Sequence, residues 1–61
     1  MEEYLKNRIK ELEERWNTTQ QKYLGATSET LANYHYGELK RIEGGLKEVN
    51  TMLKMLEKEV D

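Results

Sequence analysis

The side chains with the greatest chemical capability in this sequence surround its single histidine, His35. Tyr34 and Tyr36 flank the histidine, and Glu38 and Arg41 follow it. Tyrosine rings stack on flat ligands, and imidazole and guanidinium groups bind polar groups or phosphates. Two hydroxyl residues nearer the N-terminus, Thr27 and Ser28, would lie at the start of a helix, where free backbone N–H groups favour the binding of anions. Together these side chains form the candidate ligand-binding set: Thr27, Ser28, Tyr34, His35, Tyr36 and Arg41.

Catalysis and metal binding find little support in the same residues. The chain has no cysteine and one histidine, which excludes disulfides, thiolate metal sites and, within one chain, the usual zinc clusters. His35 and Glu38 supply two metal ligands, but carboxylate-bridged helical bundles use the reverse order, Glu-x-x-His, with further inward glutamates. No serine is convincingly placed beside the histidine, and no pair of carboxylates is predicted to be buried. We therefore expect no metal, no cofactor and no enzymatic activity.

Two heptad patterns place these residues on helices. Apolar or small residues alternate at spacings of four and three in the first half, and a longer series does the same in the second half. The first seam is Leu5, Ile9, Leu12, Trp16, Thr19 and Tyr23, and the second is Leu39, Ile42, Leu46, Val49, Leu53, Leu56 and Val60. The lack of proline and the abundance of Glu, Lys and Leu are typical of long helices or coiled coils.

The two seams are out of phase, so one unbroken helix would twist its apolar surface around its axis. The change of phase coincides with residues 25–28, where Gly25 suits a left-handed residue after a helix and Thr27 or Ser28 suits the cap of the next helix. The sequence therefore predicts an all-α fold, an antiparallel, coiled-coil-like helical hairpin in a single domain of residues 1–61. Its helices are predicted at about 2–24 and about 28–60, with a turn at about 25–28. A continuous helix in a parallel coiled coil, interrupted at residues 25–28, is the alternative.

A hairpin that folds about the middle of this turn has a predictable register. It puts Trp16 opposite Gly37 and Ile9 opposite Gly44. A glycine inside a helix costs about 1 kcal/mol relative to alanine, so we expect these glycines to give room to a large side chain or to a neighbouring helix. The alternative is that they form a hinge or are simply tolerated. The same register puts Thr19 and His35 in one polar layer. That layer is either a device that fixes register and oligomeric state or a ligand site between chains.

A chain of 61 residues gains little stability from its own core, because a domain of this size buries only about 60% of the surface that its unfolded chain exposes. Oligomerisation is the remaining source of stability. The second helix is predicted to outrun the first, leaving an uncovered apolar overhang as the oligomer interface: Met52, Leu53, Met55, Leu56 and Val60. We expect a homo-oligomeric helical bundle that acts as a non-catalytic protein-interaction or binding module, with itself or a partner helix as its partner.

Charge and hydropathy argue against two further classes of protein, those that span membranes and those that bind nucleic acids. No stretch approaches the roughly 18 apolar residues of a membrane span, and the N-terminus is acidic where a signal peptide would be basic. The net charge is −2, and no block of Lys or Arg offers a footprint for a phosphate backbone. We expect a cytoplasmic protein that binds neither membranes nor nucleic-acid polymers.

The segment LANYHYGEL at residues 31–39, with Leu46 and Val49 following, resembles the C-terminal hairpin segment of phage-encoded cyclic-nucleotide sponge proteins of the anti-CBASS and anti-Thoeris type. Those small helical proteins form multimers and sequester the signalling nucleotides of bacterial anti-phage systems without cleaving them. The resemblance implies a small-nucleotide pocket between subunits, with Tyr34, His35 and Arg41 as candidates, and a phage or prophage gene as the source. The alternative function is therefore nucleotide sequestration that blocks bacterial immune signalling, an anti-defence role.

Overall fold

The computed structural model describes residues 1–60 and, among them, the side chains of residues 1–58. Helix α1 comprises Glu2–Leu24 and helix α2 comprises Glu29–Val60. The two helices pack against each other along their length, in a molecule of 50 × 14 × 11 Å. The predicted two-helix hairpin is confirmed, and the alternative of one continuous helix is wrong. Neither described helix combines the length and the apolar content that crossing a membrane requires.

The turn between the helices is built from backbone hydrogen bonds and one side-chain cap. The Gly25 N–H donates to the Gln21 carbonyl at 3.0 Å and the Ala26 N–H to the Tyr23 carbonyl at 3.2 Å. Ser28 caps α2, because its Oγ accepts a hydrogen bond from the Leu31 N–H at 3.2 Å. Of the two cap candidates, the structure thus uses Ser28.

The predicted left-handed conformation of Gly25 is wrong. Its φ is −93° and its ψ is 6°, which lie near the right-handed helical region. With these angles and with its N–H bonded to the Gln21 carbonyl, Gly25 prolongs α1 by one residue instead of reversing the chain, and glycine adopts either conformation at little steric cost. The chain reverses over the residues that follow, before Ser28 starts the second helix.

The core is a single thin layer between the helices. Leu5 and Leu12 of α1 are buried, and so are Leu39, Ile42 and Val49 of α2. Half-buried residues of the same seams pack against this core: Ile9, Trp16, Leu46, Leu53 and Leu56. Apolar residues at heptad spacing fall on one side of each helix, which is why the seams face one another.

The register of the hairpin differs from the predicted one by about one helical turn. Trp16 lies against Glu43, to which its indole N–H donates at 3.1 Å, and not against Gly37. The Leu12 side chain lies 3.6 Å from the position of a Cβ on Gly45, whereas nothing lies within 4 Å of such a position on Gly37 or Gly44. Neither of these last two glycines therefore gives room to a side chain of its own hairpin.

The direction of helical side chains explains part of this shift. The Cα–Cβ bond tilts toward the N-terminus of its own helix, so side chains of α2 reach back toward the turn while those of α1 reach away from it. The residues that meet are consequently farther along α2 than a fold about the middle of the turn predicts, as Leu12 and Gly45 show.

The same shift shortens the predicted overhang. Leu53 and Leu56 are half-buried and pack against the core of their own hairpin, so the prediction that the hairpin leaves them uncovered is wrong. Met52 and Met55 remain 47% and 58% exposed. The side chain of Val60, the last predicted interface residue, lies outside the described residues.

Candidate functional site

The single histidine is held by its own helix. His35 Nδ1 lies 2.9 Å from Glu38 Oε1, one turn further along α2, and both side chains are partly buried. The Tyr34 ring meets the imidazole edge-on, with centroids 5.4 Å apart and an interplanar angle of 74°. The carboxylate and the phenol ring together fix the orientation of the imidazole. Of the six candidate residues, Tyr34 and His35 are the two that the structure brings into contact.

The predicted layer of Thr19 and His35 is displaced by one turn. Thr19 is buried at 8% exposure and lies on a groove that Glu38 lines from the opposite helix. The reason is the register shift, which moves Glu38 to the level where His35 was expected. In the described part of the chain, no buried side-chain nitrogen or oxygen lacks a hydrogen-bond partner.

Tyr36 belongs to a different side of the hairpin from Tyr34, because residues two apart on a helix point in nearly opposite directions. Its ring lies 6.1 Å from the Tyr23 ring across the helix interface. Lys40 Nζ lies 5.3 Å from the centroid of the Tyr36 ring and 3.5 Å from Glu43 Oε1. Glu43, and after it Tyr36, raise the pKa of Lys40 above its ordinary value by favouring the charged ammonium.

Arg41 lies on a groove that sequence reasoning did not foresee. The groove has a volume of about 340 Å³ and is lined by four charged side chains: Arg8, Arg15, Arg41 and Glu48. Its floor is formed by Leu12, Ile42, Gly45 and Val49. Arg8 also forms an ion pair with Glu11 at 3.3 Å. The heptad spacing of Arg8 and Arg15 was the signal in the sequence that could have indicated this shared side of α1.

The two hydroxyl candidates lie at the turn, away from the arginine groove. Ser28 uses its hydroxyl as the helix cap, and Thr27 is exposed beside it. Arg41 lies about 20 Å from this end along α2, at about 1.5 Å per residue. Within one chain the six candidates therefore do not surround a common pocket. Among the described residues, no group of three or more His, Asp or Glu side chains has the geometry to hold a metal ion.

No protein-family model, no curated protein and no solved structure matches this chain.

Proposed function

We propose that this chain is a non-catalytic, homo-oligomeric helical protein that acts as a protein-interaction module. The observation that supports this proposal is the thinness of the core. Five hydrophobic residues are buried in the described part of the chain, and none of its side chains is fully enclosed. Two packed helices of this size bury too little apolar surface to offset the loss of chain entropy with a comfortable margin.

The distribution of apolar surface supports the same proposal. Large hydrophobic residues stay exposed along the described chain, including Met52 at 47%, Met55 at 58%, Tyr4 at 66% and Tyr34 at 64%. Met52 and Met55 also line an apolar groove of about 240 Å³ with Met1 at the open end of the hairpin. Methionine adapts its shape to a partner surface and is frequent at protein interfaces. Burying these residues in an assembly removes them from water.

Sedimentation equilibrium and thermal unfolding at several protein concentrations test self-association. A self-associating chain shows a mass above that of one chain and a Tm that rises with concentration, because mass action favours the assembled folded state. A single-chain mass together with a Tm independent of concentration would contradict the proposal.

A matched pair of variants tests the contribution of the exposed methionines. Met55→Asp introduces a charge into the apolar groove and should weaken assembly. Thr51→Asp adds the same charge at an exposed position outside that groove and should leave assembly unchanged. Equal effects of the two substitutions would count against a role for the groove. Met55 is preferred to Leu53 or Leu56 as the test position because those leucines also stabilise the single hairpin.

The second candidate function is sequestration of a small cyclic nucleotide between subunits, as in a phage anti-defence sponge. The observation in its favour is the arginine groove, since Arg8, Arg15 and Arg41 supply three guanidinium groups that suit phosphates. Native mass spectrometry with and without mono-, di- and cyclic nucleotides reports stoichiometry and ligand mass together. A ligand that is lost in Arg8→Ala, while the oligomer persists, would support this function. A bare oligomer across the whole panel would contradict it.

A further inference from the structure

The two helices together present one long surface, here called the arginine face, that carries a pattern of charges and apolar groups. Its α2 residues repeat every seven positions, two turns apart on the same side of the helix: Tyr34, Arg41, Glu48 and Met55. Its α1 residues are two interleaved series on the same side, Tyr4, Glu11 and Thr18 in one and Arg8, Arg15 and Lys22 in the other. The grooves support this arrangement for the charged residues, because Arg8, Arg15, Arg41 and Glu48 line one of them and Glu11, Arg15 and Lys22 line the next.

The pattern of charged and apolar residues on α2 is complementary to the same pattern read in the opposite direction along the helix. Turning α2 end for end about the midpoint between Gly44 and Gly45 exchanges Arg41 with Glu48 and Tyr34 with Met55. Each exchange brings unlike groups together, a cation with an anion and an aromatic ring with a thioether, and both contacts are favourable. Within one chain Arg41 and Glu48 lie about 10 Å apart along the helix axis and do not pair directly.

The pattern on α1 behaves in the same way. Turning α1 end for end about Glu13 exchanges Glu11 with Arg15, Tyr4 with Lys22 and Arg8 with Thr18. These exchanges again bring unlike groups together: one ion pair, one cation–π pair, and a cation with a hydroxyl group. The centres of the two reversals lie at the same height along the hairpin, because Leu12 contacts Gly45 across the helix interface. A single two-fold rotation therefore forms the favourable pairs of both helices at once.

We propose that the hairpin binds a second copy of itself through the arginine face, with a two-fold axis that crosses the hairpin at the level of Leu12 and Gly45. In this dimer α1 lies antiparallel to the partner's α1 and α2 antiparallel to the partner's α2, forming a four-helix bundle. Arg41 meets the partner's Glu48 and Arg15 meets the partner's Glu11. The inference rests on the proposed self-association and specifies its surface and orientation.

Charge selects this orientation over the other two-fold arrangement of the same faces. A rotation about the long axis of the hairpin would lay α1 over the partner's α2, antiparallel to it. Arg15 and Arg41 lie at the same level of the hairpin, on the groove that both line, so that arrangement would place four arginines together at its centre. Like charges facing each other across an interface are unfavourable.

The size of the arginine face suits a stable dimer. A face of 50 × 14 Å has an area of about 700 Å² on each copy, or about 1,400 Å² for the pair, which falls within the range of stable protein interfaces.

Cysteine cross-linking tests the proposed orientation, since the natural chain contains no cysteine. Arg41→Cys and Glu48→Cys are made as separate chains, one with a longer tag, and are mixed and oxidised. The proposed dimer gives a covalent heterodimer in the mixture and at least about fivefold less homodimer from either chain alone, because disulfides require Cα atoms within about 7 Å. A mixture of Lys40→Cys and Lys47→Cys, which have the same spacing on a side of α2 turned by about 100° from Arg41 and Glu48, is the matched control.

Three outcomes separate this inference from the proposed function. Selective cross-linking of Arg41→Cys with Glu48→Cys supports the inference. Cross-linking of Arg15→Cys with Arg41→Cys in its place, or equal cross-linking of the control pair, in a chain that sediments as an oligomer overturns the inference and leaves self-association standing. A chain that sediments as a monomer at all concentrations overturns both.

Charge reversal provides a second, independent measurement. Arg41→Glu should raise the Kd of the dimer about tenfold or more, because two ion pairs per dimer become repulsive. Adding Glu48→Arg in the same chain should restore the Kd to within about threefold of the original value. Failure of the double variant to recover, with unchanged helix content by circular dichroism, would overturn the inference.

Discussion

Replacing Gly44 with alanine should stabilise the hairpin. Gly44 lies in the interior of α2, where glycine costs about 1 kcal/mol relative to alanine. No glycine in the described chain has a positive φ, so alanine adopts the backbone conformation without strain. Nothing lies within 4 Å of the new Cβ, so the substitution neither clashes with a neighbour nor loses a contact. The whole propensity difference, about 1 kcal/mol, should therefore appear as added stability.

Urea unfolding followed by circular dichroism measures this gain. With a slope of about 1 kcal/mol/M for a protein of this size, the midpoint should rise by about 1 M, and the Tm by about 4–8 °C. Wild type and variant are compared at equal protomer concentrations, because self-association also changes the midpoint. Lys47→Ala is the control, since lysine and alanine have similar helix propensity and Lys47 is exposed on the same helix. An unchanged or lowered midpoint for Gly44→Ala would refute the reasoning that this position is open.

Further substitutions test other contacts of the hairpin. Ser28→Ala removes the cap of α2 and should cost about 1 kcal/mol of unfolding free energy, whereas Ser28→Asn should retain most of it. Leu12→Ala empties the middle of the core and should cost about 2–5 kcal/mol, and a loss below 1 kcal/mol in urea unfolding would show that Leu12 is not buried. Glu43→Gln should lower the pKa of Lys40 in an NMR titration, because Glu43 is the main cause of the raised pKa. In the wild type the raised pKa of Lys40 stabilises the fold at neutral pH, and this stabilisation is lost as the pH rises through that pKa.

The sequence supports a correct prediction of the hairpin because helix formation and seam position depend on local spacing. Leu5, Leu12, Ile42 and Val49 recur at heptad intervals, and these residues form the core. The phase change near Gly25 correctly indicates a break between two helices. The conformation of Gly25 itself could not be predicted in this way, because glycine adopts left-handed and right-handed conformations about equally readily and the path of the turn decides between them.

The contacts of the candidate site were predicted less well than the fold. His35 and Tyr34 meet because they are neighbours on one helix, so that contact follows from local geometry. The contact of His35 Nδ1 with the Glu38 carboxylate is local in the same sense. The position of Thr19 opposite Glu38, and not opposite His35, depends on the register between helices, which the spacing of residues along one helix does not specify.

By itself, the sequence determined that the chain forms two amphipathic helices, where they are separated, and which apolar residues lie between them, because periodicity alone decides which side of a helix a residue occupies. Only the tertiary structure decided which residues meet across the interface. Side-chain tilt and the path of the turn shift the register by about one helical turn, which sets Trp16 against Glu43 and Leu12 against Gly45. That shift also brings Arg15 to the level of Arg41, and thereby creates the arginine face on which the proposed dimer depends.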